Sequence, residues 1–251
     1  MTIPRFYCPL ELSPGTHVEL PPQAAHHAAR VLRLRNGEAA ILFNGNGAEY
    51  AARITHIDKQ GVTVEILNKD IPVRESPLNI TLAQAISAGE KMDFTLQKAV
   101  ELGISAIQPL AAARSVVRLK DDRAEKRGQH WQSVVVSACE QCGRNTVPTV
   151  APIADLPVWL AGQRAGFGNQ DSGGTVGLIL SPLAERTLRD LPKPDGAITL
   201  LVGPEGGLTP DEIAMARQCH FTEVRLGPRV LRTETAALAT LSAMQALWGD
   251  F

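Results

Sequence analysis

Ala197-Ile198-Thr199-Leu200-Leu201-Val202-Gly203-Pro204-Glu205-Gly206-Gly207-Leu208-Thr209-Pro210-Asp211-Glu212 passes from apolar to glycine-rich to polar in one short stretch. Residues 197–202 form a continuous run of β-formers, bounded by Lys193-Pro194-Asp195-Gly196 and by Gly203, and read as a buried strand. A helix should follow at once, with Thr209 as N-cap, Pro210 at N1 and Glu212 at N3 closing a capping box. The loop between them lies at the carboxyl end of a strand, where open α/β sheets bind ligands. Its glycines, lacking a Cβ, let a ligand approach the backbone. The loop has neither the Lys-Ser/Thr of a phosphate-binding P-loop nor the G-x-G-x-x-G of a dinucleotide fold. Glu205, Asp211 and Glu212 put negative charge where a phosphate requires positive potential. A ligand without phosphate, and one carrying a cation, fits that composition. A plain strand-to-helix turn is the alternative.

Two further stretches bear on the choice. Val224-Arg225-Leu226-Gly227-Pro228-Arg229-Val230-Leu231-Arg232-Thr233-Glu234-Thr235-Ala236-Ala237 again takes a short strand into Gly-Pro. Thr233 is the expected N-cap of a last helix running from Glu234 to about Trp248. Val176 to Leu180 reads as a strand ending in Ser181-Pro182, with a helix expected at Leu183. Leu180, Ser181 and Pro182 are therefore candidates for a third wall beside the two glycine loops.

Gly-Pro-Glu-Gly-Gly at 203–207, taken with Leu-Gly-Pro-Arg-Val-Leu-Arg-Thr-Glu-Thr-Ala at 226–236, closely resembles the RsmE family of 16S ribosomal RNA uridine-N3 methyltransferases, within the SPOUT superfamily. Gly89-Glu90-Lys91-Met92, Gln97 to Gly103, and Cys139-Glu140-Gln141-Cys142-Gly143-Arg144 are similar to further signatures of that family. The resemblance covers essentially the whole chain. It implies an α/β fold: a C-terminal SPOUT-type domain with a trefoil knot over residues 73–251, and a small N-terminal PUA-like β-barrel domain over residues 1–72. It implies S-adenosyl-L-methionine as methyl donor with no metal, a homodimer, and 16S ribosomal RNA, within the small ribosomal subunit, as partner.

For the donor, the resemblance points to backbone and small groups of Val202, Gly203, Pro204, Glu205 and Gly206 on one loop. On the other it points to Leu226, Gly227, Val230, Leu231, Thr233 and Thr235, with Leu180, Ser181 and Pro182 beside them. Uridine N3 is a weakly acidic imide that must lose its proton, and a positive group nearby favours the anion. Arg232 is the leading candidate for that role, and Arg229 for a phosphate contact. Glu234 or Glu205 could accept the proton, and the base stays open. A related enzyme acting on another RNA site, a non-catalytic RNA-binding protein and a nucleotide-dependent dehydrogenase are the competing readings. The dehydrogenase lacks its glycine fingerprint.

The 251 residues suit one large domain or two smaller ones, and the 44% hydrophobic fraction is that of a chain able to bury a core. A net charge of −1 gives no global attraction to nucleic acid, so RNA binding must rest on local clusters. No apolar run reaches membrane-spanning length, and Met1 to Arg5 opens no apolar signal segment, so a cytoplasmic location is expected. Cys139 and Cys142 form a C-x-x-C without a second pair at zinc spacing, which makes core cysteines the reading.

The first 72 residues read as β-rich. Strand candidates lie at Arg5 to Tyr7, His17 to Leu20, Glu38 to Phe43, Ala48 to Ile54 and Val62 to Ile66, with Asn68 to Pro77 as linker. Pro21-Pro22 should open a helix continuing through Arg33, placing His26, Arg30 and Arg33 on one face, with Arg35 at its end. With Arg5, these residues form the candidate RNA-contacting patch. From Leu78 the texture changes to strands and helices in alternation: Ile80 to Ile86, Glu90 to Leu102 ending at Gly103, Ile104 to Leu110, and a long helix from Asp121 to Cys142. That order argues for a largely parallel sheet. Met92 and Phe94 are expected to pack rather than bind. Arg114, Arg118, Lys120, Arg123, Lys126 and Arg127 outnumber Asp121, Asp122 and Glu125, which marks either a nucleic-acid contact or a solvated helix. Gly162 to Thr175 reads as a surface loop.

Overall fold

Strands of alternating burial build the first part of the chain: β1 (Arg5–Tyr7), β2 (His17–Glu19), β3 (Ala39–Phe43), β4 (Glu49–Ile57) and β5 (Val62–Asp70). They form one sheet in the order β1-β3-β4-β5-β2, with β1 parallel to β3 and the other pairs antiparallel. Inward positions Phe6, Leu42, Tyr50, Ile54, Val64 and Ile66 close its core. This is a computed structural model, and it describes residues 3–59, 61–115, 121–163 and 174–251. The chain divides into two compact units, residues 1–75 with 136–147, and residues 76–135 with 148–251.

The first unit corrects two expectations. Helix α1 (Pro22–His26) passes into a π-helical turn at residues 27–31, and Arg33 lies beyond it with φ 55°. The wider turn and the left-handed residue take Arg33 off the helical face that the spacing assigned to it. The expected linker is also part of the unit, because β5 runs on to Asp70 and residues 71–75 belong to it. The Glu75 carboxylate accepts from Nε and Nη2 of Arg144 at 2.8 and 2.6 Å and from the backbone amides of Asn145 and Thr146. A carboxylate met by a guanidinium and two amides ties its segment down.

The second unit carries β6 (Ile80–Ala85), α2 (Lys91–Glu101), β7 (Ala106–Ala111), α3 (Asp121–Cys142), β8 (Thr149–Val150), β9 (Ala154–Asp155), α4 (Leu156–Gln163), β10 (Val176–Leu180), β11 (Ile198–Val202), α5 (Pro210–Gln218), β12 (Phe221–Val224) and α6 (Thr233–Trp248). The last residues of α3 are counted with the first unit. The sheet order is β12-β10-β11-β6-β7-β8, with β9 on β7, and every pairing is parallel. A parallel sheet covered on both faces demands strands apolar on both sides. Every residue of β11 is buried. Gly103 and Gly143 end α2 and α3 with φ 82° and 88°, the left-handed conformation of a helix C-cap.

Helix α6 turns Ala237, Leu241, Met244 and Trp248 inward. Its buried Gln245 donates to Leu102 O at 2.8 Å and accepts from Ser76 Oγ at 2.9 Å. Packing within the unit therefore accounts for most of its apolar character, while Leu247 stays exposed. Met92 is buried, but Phe94 is 48% exposed, so its expected packing role is not seen. The segment after Ser181 turns without forming a helix at Leu183; a short 3-10 turn comes later, at Leu188–Asp190. Cys139 is buried and its thiol points to Thr146 O, while Cys142 is half-buried. Burial pushes the Cys139 thiol up to about 12, which makes it inert at neutral pH.

Candidate functional site

Parallel register brings the carboxyl ends of β10, β11 and β12 to one edge: Leu180 stands opposite Val224, and Leu201 opposite Ile179. The chain after each strand bounds one cavity of about 770 Å³, the size of a ligand pocket. Leu180, Ser181 and Pro182 form one wall. Val202, Gly203, Pro204, Glu205 and Gly206 form the second. Leu226, Gly227, Arg229, Val230, Leu231, Arg232 and Thr233 form the third. Thr235 and Glu234 are not among the lining residues; Thr235 is exposed, and Glu234 keeps one buried carboxylate oxygen, Oε2, without a partner. The lining also includes Leu183, Leu208, Ile213, Val224, Arg225 and Ala236, which the sequence reading passed over. Ala236 was recoverable, since it lies three residues from Thr233 on one helix face.

The loop after β11 is built as its capping signature demands. Thr209 Oγ1 accepts from Glu212 N at 3.2 Å, and Glu212 Oε2 accepts from Thr209 N at 2.7 Å. The other oxygen of that buried carboxylate accepts from Ala113 N at 2.8 Å. Arg114 Nη1 donates to Gly206 O at 2.9 Å. A Cβ on Gly206 would stand 3.1 Å from the Cβ of Arg114, so the arginine stem and the loop backbone lie in direct contact. Glu205 Oε1 accepts from Ala88 N and from Lys91 Nζ, each at 3.1 Å.

Burial pushes the Glu205 carboxyl up, but the amides of Glu205 and Ala88 and the Lys91 ammonium outweigh it and hold its pKa below the ordinary carboxylate range. Of the three acids that the sequence places here, Glu205 is ion-paired to Lys91 and Glu212 is buried and held by backbone amides, while Asp211 is exposed.

Thr233 is not the N-cap. It is the first residue of α6, after Arg232 in an extended conformation, and its hydroxyl does other work. Thr233 Oγ1 donates to Gly203 O at 2.6 Å and accepts from the buried Gln84 Nε2 at 3.1 Å. One side chain so joins the loop after β11, the start of α6 and the end of β6.

The candidate RNA contacts are divided. In the first unit His26, Arg30, Arg33 and Arg35 are exposed, and His26 and Arg30 line a cavity of about 640 Å³ with Lys59. Arg5 is different: its side chain is only 10% exposed and is ion-paired to Glu49 at 2.7 Å, with a further bond to Asn145. In the second unit Arg114 is committed to Gly206, and Arg118 lies outside the described residues. Among the described residues no group of three or more His, Cys, Asp or Glu is arranged to hold a metal, and no helix is long and apolar enough to cross a membrane.

A family model for an RNA methyltransferase domain matches residues 74–245, and one for an RNA methyltransferase PUA domain matches residues 20–67. The class of the protein is therefore that of RNA methyltransferases with an N-terminal PUA domain. Ribosomal RNA small subunit methyltransferase E of a Buchnera aphidicola strain from Schizaphis graminum is 35% identical over 99% of this chain and 98% of its own. Its Bacillus subtilis counterpart is 30% identical over 88% of this chain and 87% of its own. The crystal structure of a ribosomal RNA small subunit methyltransferase E from Neisseria gonorrhoeae, bound to S-adenosyl methionine, is 48% identical with a TM-score of 0.90, covering 100% of both chains. A methyltransferase from Legionella pneumophila, solved with bound S-adenosylmethionine, is 39% identical with a TM-score of 0.93, also over 100% of both chains. The chain belongs to the ribosomal RNA small subunit methyltransferase E family.

Proposed function

We propose that this chain transfers a methyl group from S-adenosylmethionine to N3 of one uridine of 16S ribosomal RNA. The observation that carries the reading is the single cavity bounded by the chain after β10, β11 and β12, in a protein that matches donor-bound relatives over its full length. The cavity suits the donor. Leu180, Val202, Leu208, Ile213, Leu226 and Leu231 offer apolar surface for an adenine. At Gly227, φ is 125° and an added Cβ would meet nothing within 4 Å, so open space lies against that backbone. Backbone groups of Val202, Gly203, Leu226 and Leu231 are assigned to the adenine and ribose edges, and Gly206 to close approach.

The bound donor supplies a methyl on a cationic sulfur. The chain's own part is to hold the uracil in line and to favour its N3 anion. Arg232 lines the cavity and is assigned that charge-stabilising role. Glu205 is a poor general base, because its lowered pKa makes the carboxylate weakly basic and Lys91 already holds it. Glu234 keeps an unpartnered oxygen but does not line the cavity, and the base stays unassigned.

The same reading gives residues 73–251 the knotted SPOUT topology. It also assigns a homodimer, a cytoplasmic location and a substrate within the small ribosomal subunit. Residues 1–72, as a PUA-like barrel, capture RNA through His26, Arg30, Arg33 and Arg35. Ribosomal RNA from cells lacking this protein should lose a single N3-methyluridine by mass spectrometry; an unchanged nucleoside profile overturns the reaction. Calorimetry should show no S-adenosylmethionine binding by Gly206→Trp, and wild-type affinity there would place the donor elsewhere. Arg30→Ala with Arg33→Ala should weaken RNA binding while leaving donor affinity unchanged.

A further inference from the structure

Arg225, Arg229 and Arg232 line the same cavity, and all are exposed. Among the described residues none of them is within ion-pair distance of a carboxylate. Arg225 shares the field of Asp190 with Arg186. Glu205 is the one acid in the described lining, and Lys91 is paired with it. The mouth of the cavity is therefore net positive.

That sign is unfavourable for the ligand assigned to it. S-adenosylmethionine carries one more positive charge than its demethylated product, and the extra charge sits on the sulfur whose methyl is transferred. Like charges in a partly enclosed site repel more than they do in water. A polyanion at the mouth would cancel the repulsion, and arginine is suited to phosphate. We propose that the arginine rim couples RNA and donor through charge: RNA phosphates neutralise Arg225 and Arg229 and so raise the affinity for the cationic donor, but not for the neutral product. The coupling is reciprocal, so the donor in turn tightens RNA. Transfer forms the N3–C bond, breaks the S–C bond and leaves a neutral thioether, while the N3 proton has gone to the base. The charge that held the two ligands together disappears with the reaction, and release follows from the chemistry itself. This inference rests on the donor occupying the cavity as proposed above.

The test uses two probes on the full chain. One is the unreactive donor analogue in which a protonated amine replaces the methyl sulfonium; the other is S-adenosylhomocysteine. Each is titrated by calorimetry against the free protein and against protein saturated with a 16S ribosomal RNA transcript, at low and at high salt. The amine analogue should bind on the order of five-fold more tightly with RNA present, and the thioether should not change. The gain should shrink at high salt and vanish in the Arg225→Gln, Arg229→Gln double variant. Equal tightening of both probes, tightening of neither, or a gain that survives in the double variant overturns the proposal. Wild-type affinity of either probe for Gly206→Trp instead removes the underlying placement of the donor.

Discussion

The loop after β11 and the segment after β12 face the same cavity, yet they are held in different ways. From Gly203 to Glu212 the first is tied at every turn: Thr233 to Gly203 O, Lys91 and Ala88 N to Glu205, Arg114 to Gly206 O, and Ala113 N to Glu212. The segment from Arg225 to Arg232 is fastened mainly at its ends, by Arg225 N to Arg186 O and by Ala236 N to Arg232 O. Between them Val230 is 80% exposed, and the side chains of Arg229 and Arg232 make no hydrogen bond within the described residues. The contrast suits two tasks. A small cofactor gains from a wall set before it arrives. A large, flexible RNA gains from side chains that adapt after it arrives.

The strongest test of that contrast removes the deepest tie. Glu212→Ala removes the carboxylate half of the capping box of α5 and leaves the amides of Thr209 and Ala113 without their acceptor, so it should cost about 3 kcal/mol in urea unfolding. A loss below about 1 kcal/mol would mean that the loop is not held as its hydrogen bonds imply. Thr233→Val preserves shape but removes the hydroxyl donor to Gly203 O and one of the two acceptors of Gln84 Nε2, which keeps its bond to Ala85 O. It should cost about 2 kcal/mol and speed amide exchange across residues 203–207 more than across 226–231.

Glu205→Gln should be milder, under about 1 kcal/mol, since the Ala88 bond can survive and the ion pair with Lys91 is partly exposed. Its use is in pH. The Glu205 carboxyl is depressed in the folded state, so its contribution is full above the ordinary carboxylate range and is lost as pH falls through the lowered value. Amide exchange in the wild-type loop should therefore rise on acidification beyond the intrinsic pH trend, and this part of the rise should be missing in Glu205→Gln. Arg229→Ala should leave the unfolding midpoint unchanged and flatten the salt dependence of RNA binding by about one unit of slope. A destabilised Arg229→Ala would show that the second segment is as tightly built as the first.

Local chemistry explains what was legible in advance. The capping box at Thr209 and Glu212 was readable because its partners lie three residues apart, and the buried strands because parallel sheets need continuous apolar runs. The π turn after His26 left no mark on periodicity, so Arg33 was placed on a face that it does not share. Thr233 looked like a cap because a threonine before an alanine-rich helix usually is one; its true partners, Gly203 and Gln84, are distant in sequence.

By itself the sequence determined the elements around the cavity, the family and the kind of ligand. These depend on near-neighbour patterns: strand, glycine turn, cap, and the paired motifs at 203–207 and 226–236. The tertiary structure alone decided which charges remain free. Glu205 meets Lys91, Arg5 meets Glu49 and Arg114 meets Gly206 across 114, 44 and 92 residues of chain, while Arg225, Arg229 and Arg232 meet no partner in the described residues. A charge in the sequence has a sign but no partner. Pairing depends on which strands the sheet sets side by side, and that is settled only when the chain is folded.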